Sequence, residues 1–346
     1  MVDGCDSRLD QKVWNLLLTD TVLTRYVDTL RDAITDRLRI RLEIRALPIS
    51  QERDICHLLD TTDIYVGHTF TSKMAKHSGA LKLIQISAAG LDRVALKSIP
   101  RNIPVANTYG HGPAIAEYVI MQMLALSRQL LRQDRALRRG TWYGPAFANH
   151  GFVGRGLAGR TVGILGLGEI GSNVARHARR CGMQVIGVKS TFDPGLRAVL
   201  GLSYLGITED IPDVMARSDF VVVALPLTTE TKGLVGAYAL GQLRRESYLI
   251  NVGRAEVVDE QVLYEALRDE RIGGAGIDVW YRYPDVDGYA LPSQYPFHEL
   301  DNVILTPHSA GATEETIQAR VKEISENVAR CLTGQKLVNA VSTART

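Results

Sequence analysis

Thr161-Val162-Gly163-Ile164-Leu165-Gly166-Leu167-Gly168-Glu169-Ile170-Gly171 runs an apolar strand straight into a GxGxxG turn and then a helix. Gly166 permits the tight turn, Gly168 lets the backbone approach a pyrophosphate, and Gly171 lets the helix pack on the strand. Free amide N–H groups are thereby left facing the anion. A GxGxxG alone is weak. Here a helical stretch over 172–181 and a second strand over 183–188 follow it, which is the context a dinucleotide site requires. The motif begins near the middle of the chain, so about half the protein precedes it.

The 346 residues suffice for two domains with separate cores. Strand-like runs at 13–18, 40–44, 64–66, 83–86 and 105–106 alternate with helical stretches and predict a first α/β unit. Pro113 opens a helix expected to run to about Arg139. A second alternation then reads as six strands, at 161–165, 183–188, 220–224, 248–251, 274–278 and 303–305. A last helix places Ile317, Val321, Ile324, Val328 and Leu332 on one face and stops at Gly334. It is expected to cross back onto the first unit. The reading is an α/β chain of two Rossmann-like or flavodoxin-like domains with doubly wound parallel sheets and an active-site cleft between them. Residues 1–107 plus 312–346 form a discontinuous substrate domain and 108–311 an NAD(P)-binding domain.

Hydrophobic residues at 45% and charged residues at 23% describe an ordinary globular chain. Lysine plus arginine (40) nearly balance aspartate plus glutamate (38), so nucleic acid and anionic membrane are not expected as partners. Cys5, Cys56, Cys181 and Cys331 lack CxxC spacing and read as reduced thiols. Residues 1–10 are polar, without a signal-like apolar run, and imply a cytoplasmic protein. The apolar run 114–126 is interrupted by Glu117 and Gln122 and falls short of the roughly 18 residues of a membrane span. It reads as a buried helix.

Three polar residues sit at the carboxyl ends of late strands, where such sheets bind ligands. Arg254 follows Asn251-Val252-Gly253, Asp278 ends the strand over 274–278, and His308 follows Thr306-Pro307. An arginine there can grip a carboxylate bidentately, and a histidine can exchange a proton with the oxygen on the carbon that exchanges hydride. Singly, each is more often a surface charge, a helix cap or a structural histidine. Three strand ends of one sheet carrying them together point to catalysis.

Combined with Ser87-Ala88-Ala89-Gly90-Leu91-Asp92, Ala116-Glu117, Gly156 to Gly163, Leu225-Pro226-Leu227-Thr228 with Thr231, Asn251 to Asp259 and Gly276-Ile277-Asp278-Val279, these residues give the chain a clear resemblance. From about Ile64 to Val341 it resembles the D-isomer-specific 2-hydroxyacid dehydrogenase family, which includes glyoxylate/hydroxypyruvate reductases and phosphoglycerate, formate and phosphite dehydrogenases. The resemblance implies substrate carboxylate binding by Ala89 and Gly90 amides, a clamp from Arg254, acid/base work by His308 and orientation of the nicotinamide by Asp278. It implies Gly166, Gly168, Glu169, Ile170, Gly171, Leu225, Pro226, Thr231, Val252 and Gly311 as further cofactor contacts. A homodimer built around the helix at Pro113 is also implied, with Trp142 in an arm that reaches the partner.

The chain departs from that family at two places. Tyr283 stands five residues after Asp278, where the family pairs its histidine with a glutamate. Loss of that carboxylate is expected to lower the pKa of His308 and to favour oxidation, with support from Glu299 or another acid as the competing reading. Formate dehydrogenases also lack the glutamate, but their substrate asparagine aligns with His111, and phosphite dehydrogenase has a lysine at Ala89. At the end of the second strand, Lys189-Ser190-Thr191 replaces the acid that NAD-specific members use, which favours NADP over NAD, with Asp193 as the competing ribose ligand. His68, Tyr109, His111, Trp142, Tyr143, Trp280 and Tyr283 could line a polar, aromatic pocket, although packing is the commoner duty of aromatics. The sequence therefore predicts an enzyme interconverting a D-2-hydroxyacid and its 2-oxoacid. The alternatives are oxidation of an unusual small anion and a non-catalytic dinucleotide-responsive scaffold.

Overall fold

A computed structural model describes residues 12–146, 152–284 and 288–342, so Cys5 and the polar start at 1–10 lie outside the described residues. The chain divides into two compact units, residues 1–110 with 313–346, and residues 111–312.

The first unit holds strands β1 (Val13–Leu18), β2 (Arg41–Ala46), β3 (Ile64–Gly67), β4 (Leu83–Ile86) and β5 (Val105–Ala106). The order is β2-β1-β3-β4-β5, all parallel, and the short strand Ala340–Val341 joins β5 antiparallel. Successive strand residues point to opposite faces. Leu16, Leu18, Ile64, Val66 and Leu83 pack in one buried cluster, whereas Leu17, Tyr65, Ile84 and Ile86 pack in another. The first of these clusters also takes Leu30 and Ile34 of the helix Val27–Leu38 and Val321, Ile324 and Val328 of the helix Glu314–Leu332. The terminal helix therefore does return to the first unit.

A buried ion pair fixes that return. Asp20, just past β1, accepts hydrogen bonds from Arg320 Nη2 and Ser87 Oγ at 2.6 Å each and from the amides of Val22 and Leu23 at 2.9 Å. Burial pushes its carboxyl up, but the Arg320 guanidinium, the Ser87 hydroxyl and the Leu23 amide outweigh burial and hold it below the ordinary value.

The second unit adds β6 (Thr161–Leu165), β7 (Gln184–Val188), β8 (Tyr204–Gly206), β9 (Phe220–Val223), β10 (Tyr248–Asn251), β11 (Gly274–Ile277) and β12 (Val303–Leu305). Numbering the short terminal strand β13, the sheet of this unit runs β12-β11-β10-β9-β6-β7-β8, parallel throughout. The chain reverses direction across the sheet between β6 and β9, and the glycine turn lies at that switch point.

Two readings are corrected here. Among the described residues the sheet has seven strands, not six, because β8 is a three-residue edge strand too short to show a period. The single helix expected from Pro113 to Arg139 is two, Gly112–Ser127 and Leu130–Leu137. Between them Gln129 takes φ 50°, and the Ser127 carbonyl accepts from Arg155 N–H at 3.1 Å, outside the helix. Cys56, Cys181 and Cys331 are free thiols. Among the described residues, no helix is long and apolar enough to cross a membrane.

Because the Asp20 carboxyl titrates below the ordinary 3.8 in the folded chain, its stabilisation is complete above that value and is lost as pH falls through the lowered one. Asp20→Asn leaves Arg320 without its buried counter-charge and is expected to cost about 3–5 kcal/mol at neutral pH. Hydrogen exchange of β1 and Glu314–Leu332 amides should accelerate while β6 and β9 stay protected, and the acid dependence of that protection should flatten. Unchanged protection at neutral pH would remove the pair from the unit's stability.

Candidate active site

The glycine turn forms a cradle. Gly166 has φ +97°, and a Cβ there would lie 2.8 Å from the Ala224 carbonyl oxygen. A Cβ on Gly171 would lie 1.9 Å from the Gly166 oxygen, so the helix packs on the turn with no room for a side chain. Gly168 is the N-cap of the helix Glu169–Arg180, and nothing lies within 4 Å of where its Cβ would be. This leaves the amides of the first turn, Ile170 and Gly171 included, at the positive end of a helix dipole, which fits a pyrophosphate. The Glu169 carboxylate is turned aside and accepts from Gly112 N–H at 3.3 Å.

At the end of β7, Lys189 donates its amide to Gly206 O at 3.1 Å, and its ammonium stands 3.6 Å from Asp193. Ser190 and Thr191 are exposed. Asp193 caps the helix Pro194–Leu200, accepting from Leu196 N–H at 3.0 Å. That amide is the main cause that holds its carboxyl below the ordinary range, with Lys189 adding to it against burial.

The loops after β9 and β10 brace one another. A Cβ on Gly253 would be 2.6 Å from the Leu225 oxygen. Thr231 Oγ1 donates to Pro226 O at 2.6 Å and accepts from Thr228 N–H at 2.8 Å, closing the turn after Leu225. Asn251 accepts from Gly253 N–H and donates to Arg254 O, each at 3.1 Å, and Arg254 Nη1 donates to Gly253 O at 2.9 Å. Val252 is buried and Arg254 half-buried.

His308 lies in the tightest constraint. Its backbone takes φ +58°, a left-handed conformation that costs a non-glycine residue free energy unless its surroundings fix it. The buried carboxylate of Asp278 supplies the constraint, accepting from Thr306 Oγ1 at 2.7 Å and from the amides of Ser309 and Ala310 at 2.9 Å each. Thr306 is held in turn by the Tyr118 hydroxyl, which accepts from Gln122 at 2.5 Å. Burial is the main cause that pushes Tyr118 up to about 12. Trp280 donates its indole N–H to Thr306 O at 2.7 Å. Tyr118, Gln122 and Thr306 escaped sequence reasoning as site residues. Only the i, i+4 spacing of the first two hinted that they share a helix face.

Tyr283 meets His308. Its hydroxyl is 2.7 Å from His308 Nδ1 and accepts from the Trp280 amide at 3.2 Å. Glu299 stands instead 3.9 Å from His298. Trp280 is 5% exposed and packs against Phe297, so it belongs to the core and does not line a pocket. His111 precedes Gly112–Ser127 as its N-cap, with its Cβ 3.3 Å from the position a Cβ on Gly311 would take. Trp142 is 57% exposed, and Tyr143 lies under Arg132 at 4.5 Å.

In the first unit, the loop after β4 is tied to the segment after β5. Asn107 Nδ2 donates to Ala89 O at 2.8 Å and Thr108 N–H to Ala88 O at 3.3 Å, leaving Ala89 and Gly90 half-buried. Tyr109 is exposed, its amide donating to Glu323 at 3.2 Å. His68 lies within electrostatic reach of Asp20, and its pKa is lowered by burial, with Asp20 pulling the other way.

Residues 120–310 match the family model described as D-isomer specific 2-hydroxyacid dehydrogenase, NAD binding domain. The chain is 33% identical over 264 residues to a glyoxylate reductase of Korarchaeum cryptofilum, covering 76% of each chain. Among solved structures, an acyclic imino acid reductase (Bsp5) in complex with NADPH and D-Arg is 26% identical, with a TM-score of 0.77 over 95% of this chain and 100% of that one. A D-isomer specific 2-hydroxyacid dehydrogenase from Xanthobacter autotrophicus Py2, in complex with NADPH and MES, is 28% identical, with a TM-score of 0.74 over 95% and 98%. With its glycine cradle and strand-end constellation, the chain thus belongs to the D-isomer specific 2-hydroxyacid dehydrogenase family, nicotinamide-dinucleotide-dependent oxidoreductases acting on CH–OH groups.

Proposed function

We propose that the protein interconverts a D-2-hydroxyacid and its 2-oxoacid, with His308 as the acid/base and Arg254 as the carboxylate clamp. The observation that carries this reading is the Asp278 clamp. It holds His308 in a left-handed backbone at the carboxyl end of β12, in the same sheet whose glycine cradle fits a pyrophosphate. A nicotinamide dinucleotide, when bound, supplies or accepts the hydride. Gly166, Gly168, Glu169, Ile170 and Gly171 hold its pyrophosphate end, and Leu225, Pro226, Thr231, Val252, Arg254, His308 and Gly311 flank the rest. Asp278 has used three of about four acceptor sites and can offer the last to the carboxamide.

We assign Ala89 and Gly90 to the substrate carboxylate through their amides, and Tyr109, His111 and Trp142 to the substrate side chain. Residues 1–107 with 312–346 form the substrate domain in this reading, and 108–311 the NAD(P)-binding domain. NADP is the preferred cofactor, because Lys189 offers a cation and Ser190 and Thr191 offer hydroxyls to a 2′-phosphate, while Asp193 is engaged as a helix cap. A homodimer about Gly112–Ser127 is supported by Met121, Leu124, Leu130 and Leu131, which are 41–55% exposed.

His308→Asn is expected to lower turnover of the preferred 2-oxoacid roughly 10²–10⁴-fold, with dinucleotide affinity unchanged by fluorescence titration. Retained turnover would remove the acid/base assignment. Lys189→Asp should lower the NADP-to-NAD ratio of kcat/KM by at least roughly tenfold, about 1.4 kcal/mol, and an unchanged ratio would count against NADP. Light scattering should return twice the chain mass, and Leu124→Asp should halve it. A wild-type monomer would exclude the dimer.

A further inference from the structure

Tyr283 and His308 form a hydrogen-bonded pair. The Trp280 amide, which can only donate, lies 3.2 Å from the Tyr283 oxygen and occupies one of its lone pairs. The oxygen keeps a second lone pair and its own hydrogen, and a Tyr283 O–H that donates along the 2.7 Å contact makes His308 Nδ1 the acceptor. An Nδ1 that accepts is unprotonated, so the neutral ring carries its hydrogen on Nε2. Both ends of this contact hang from one clamp, since Asp278 fixes the turn of His308 and the Trp280 indole is anchored on Thr306 O. The rings are tilted at 48° with centroids 5.6 Å apart, an arrangement for an in-plane hydrogen bond and not for stacking. Tyr283 as a whole is 38% exposed, so the pair lies at the surface of the unit.

We propose that Tyr283 sets the tautomer of His308 and refills it with a proton, so that neutral His308 is the proton donor in reduction of the substrate carbonyl. This rests on the acid/base reading of His308. As hydride adds to the carbonyl carbon, oxidising the dinucleotide it leaves, the Nε2–H bond breaks and an O–H bond forms on the substrate oxygen. The Tyr283 O–H bond breaks and Nδ1–H forms, so the imidazole stays neutral. Negative charge ends on the phenolate oxygen, facing the Trp280 N–H, and a proton from water restores the phenol. An alkoxide is a stronger base than a phenolate, so the transfer runs downhill. A carboxylate in the same slot accepts only and draws the ring proton to Nδ1. The tyrosine therefore reverses the ring, and the neutral histidine becomes a donor, opposite to the expectation from the missing glutamate alone.

Nitrogen-15 NMR of the histidine-labelled full chain tests the tautomer without any turnover, with His308→Asn identifying the signals. The expected result is an unprotonated, hydrogen-bonded Nδ1 and a protonated Nε2, with Tyr283→Glu moving the proton to Nδ1. A protonated Nδ1 in the wild type would overturn the proposal. In reduction of 2-oxoacid, Tyr283→Phe should lower kcat roughly 100-fold with little change in KM. It should also straighten the dependence of kcat on solvent deuterium fraction, which is bowed in the wild type by two protons in flight. A straight wild-type line would overturn the relay. If His308→Asn turned over normally, the acid/base reading would fall while the tautomer result stood by itself.

Discussion

The carboxylate of Asp278 is the constraint from which the rest of the site follows. It is 2% exposed and accepts from one hydroxyl and two amides, all in the five residues that carry His308. A buried carboxylate without partners would cost several kcal/mol, so the turn and the acid stabilise each other. The hydroxyl of Thr306 and the amides of Ser309 and Ala310 can reach one carboxylate only if the chain between them folds back tightly, and His308 accommodates this with φ +58°. The strain at the histidine is thus the geometric consequence of satisfying Asp278. It is also what aims the imidazole.

Around this point the parallel sheet does the gathering. Parallel strands end on the same side, so the loops after β6, β7, β9, β10, β11 and β12 share one edge of the second unit. Glycines lie where backbones must meet. Gly171 brings the first helix onto the turn, and Gly253 brings the loop of Arg254 against Leu225. The helix Gly112–Ser127 contributes from outside the sheet through Tyr118, which bonds Thr306, and through Gln122 one helical turn further on, which donates to the Tyr118 hydroxyl.

Much of this was legible from residues because it rests on local rules. The glycine fingerprint with its flanking strands fixed the fold class, and short apolar runs located every described strand of four or more residues to within a few positions. Arg254, Asp278 and His308 stood out as polar residues at the ends of apolar strands. What escaped depended on contacts distant in sequence or on elements too short to have a period. β8 buries Leu205 and Gly206 with no visible alternation, and the break at Gln129 follows from Arg155 taking the Ser127 carbonyl. Trp280 reads as a pocket aromatic in sequence, but its indole satisfies a buried carbonyl. The helix-capping bond of Asp193 to Leu196 N–H likewise shows only in the fold. The family resemblance puts Tyr283 in the slot of the histidine's partner, but that its hydroxyl touches His308 across 25 residues is seen only in the fold.

The first unit has its own version of the same logic. A helix returning after some 200 residues must find one register on a sheet that its apolar face alone would let it slide across. Val321, Ile324 and Val328 choose the face. Asn327 chooses the register, donating to Gln85 at 2.9 Å and to Val338 O at 3.0 Å and accepting from Val338 N–H at 2.9 Å. Arg320, just under two turns before it, lands on Asp20 only in that register. Buried polar groups gain little net stability over apolar ones of equal size, but a mispaired one is expensive, so they penalise every other alignment. The Asp20 oxygen that takes Arg320 also takes the Ser87 hydroxyl, at the base of the loop carrying Ala89 and Gly90. The last helix of the chain therefore sets the position of a loop formed more than 200 residues earlier, and a shift in its register would be transmitted to Ala89 through one carboxylate.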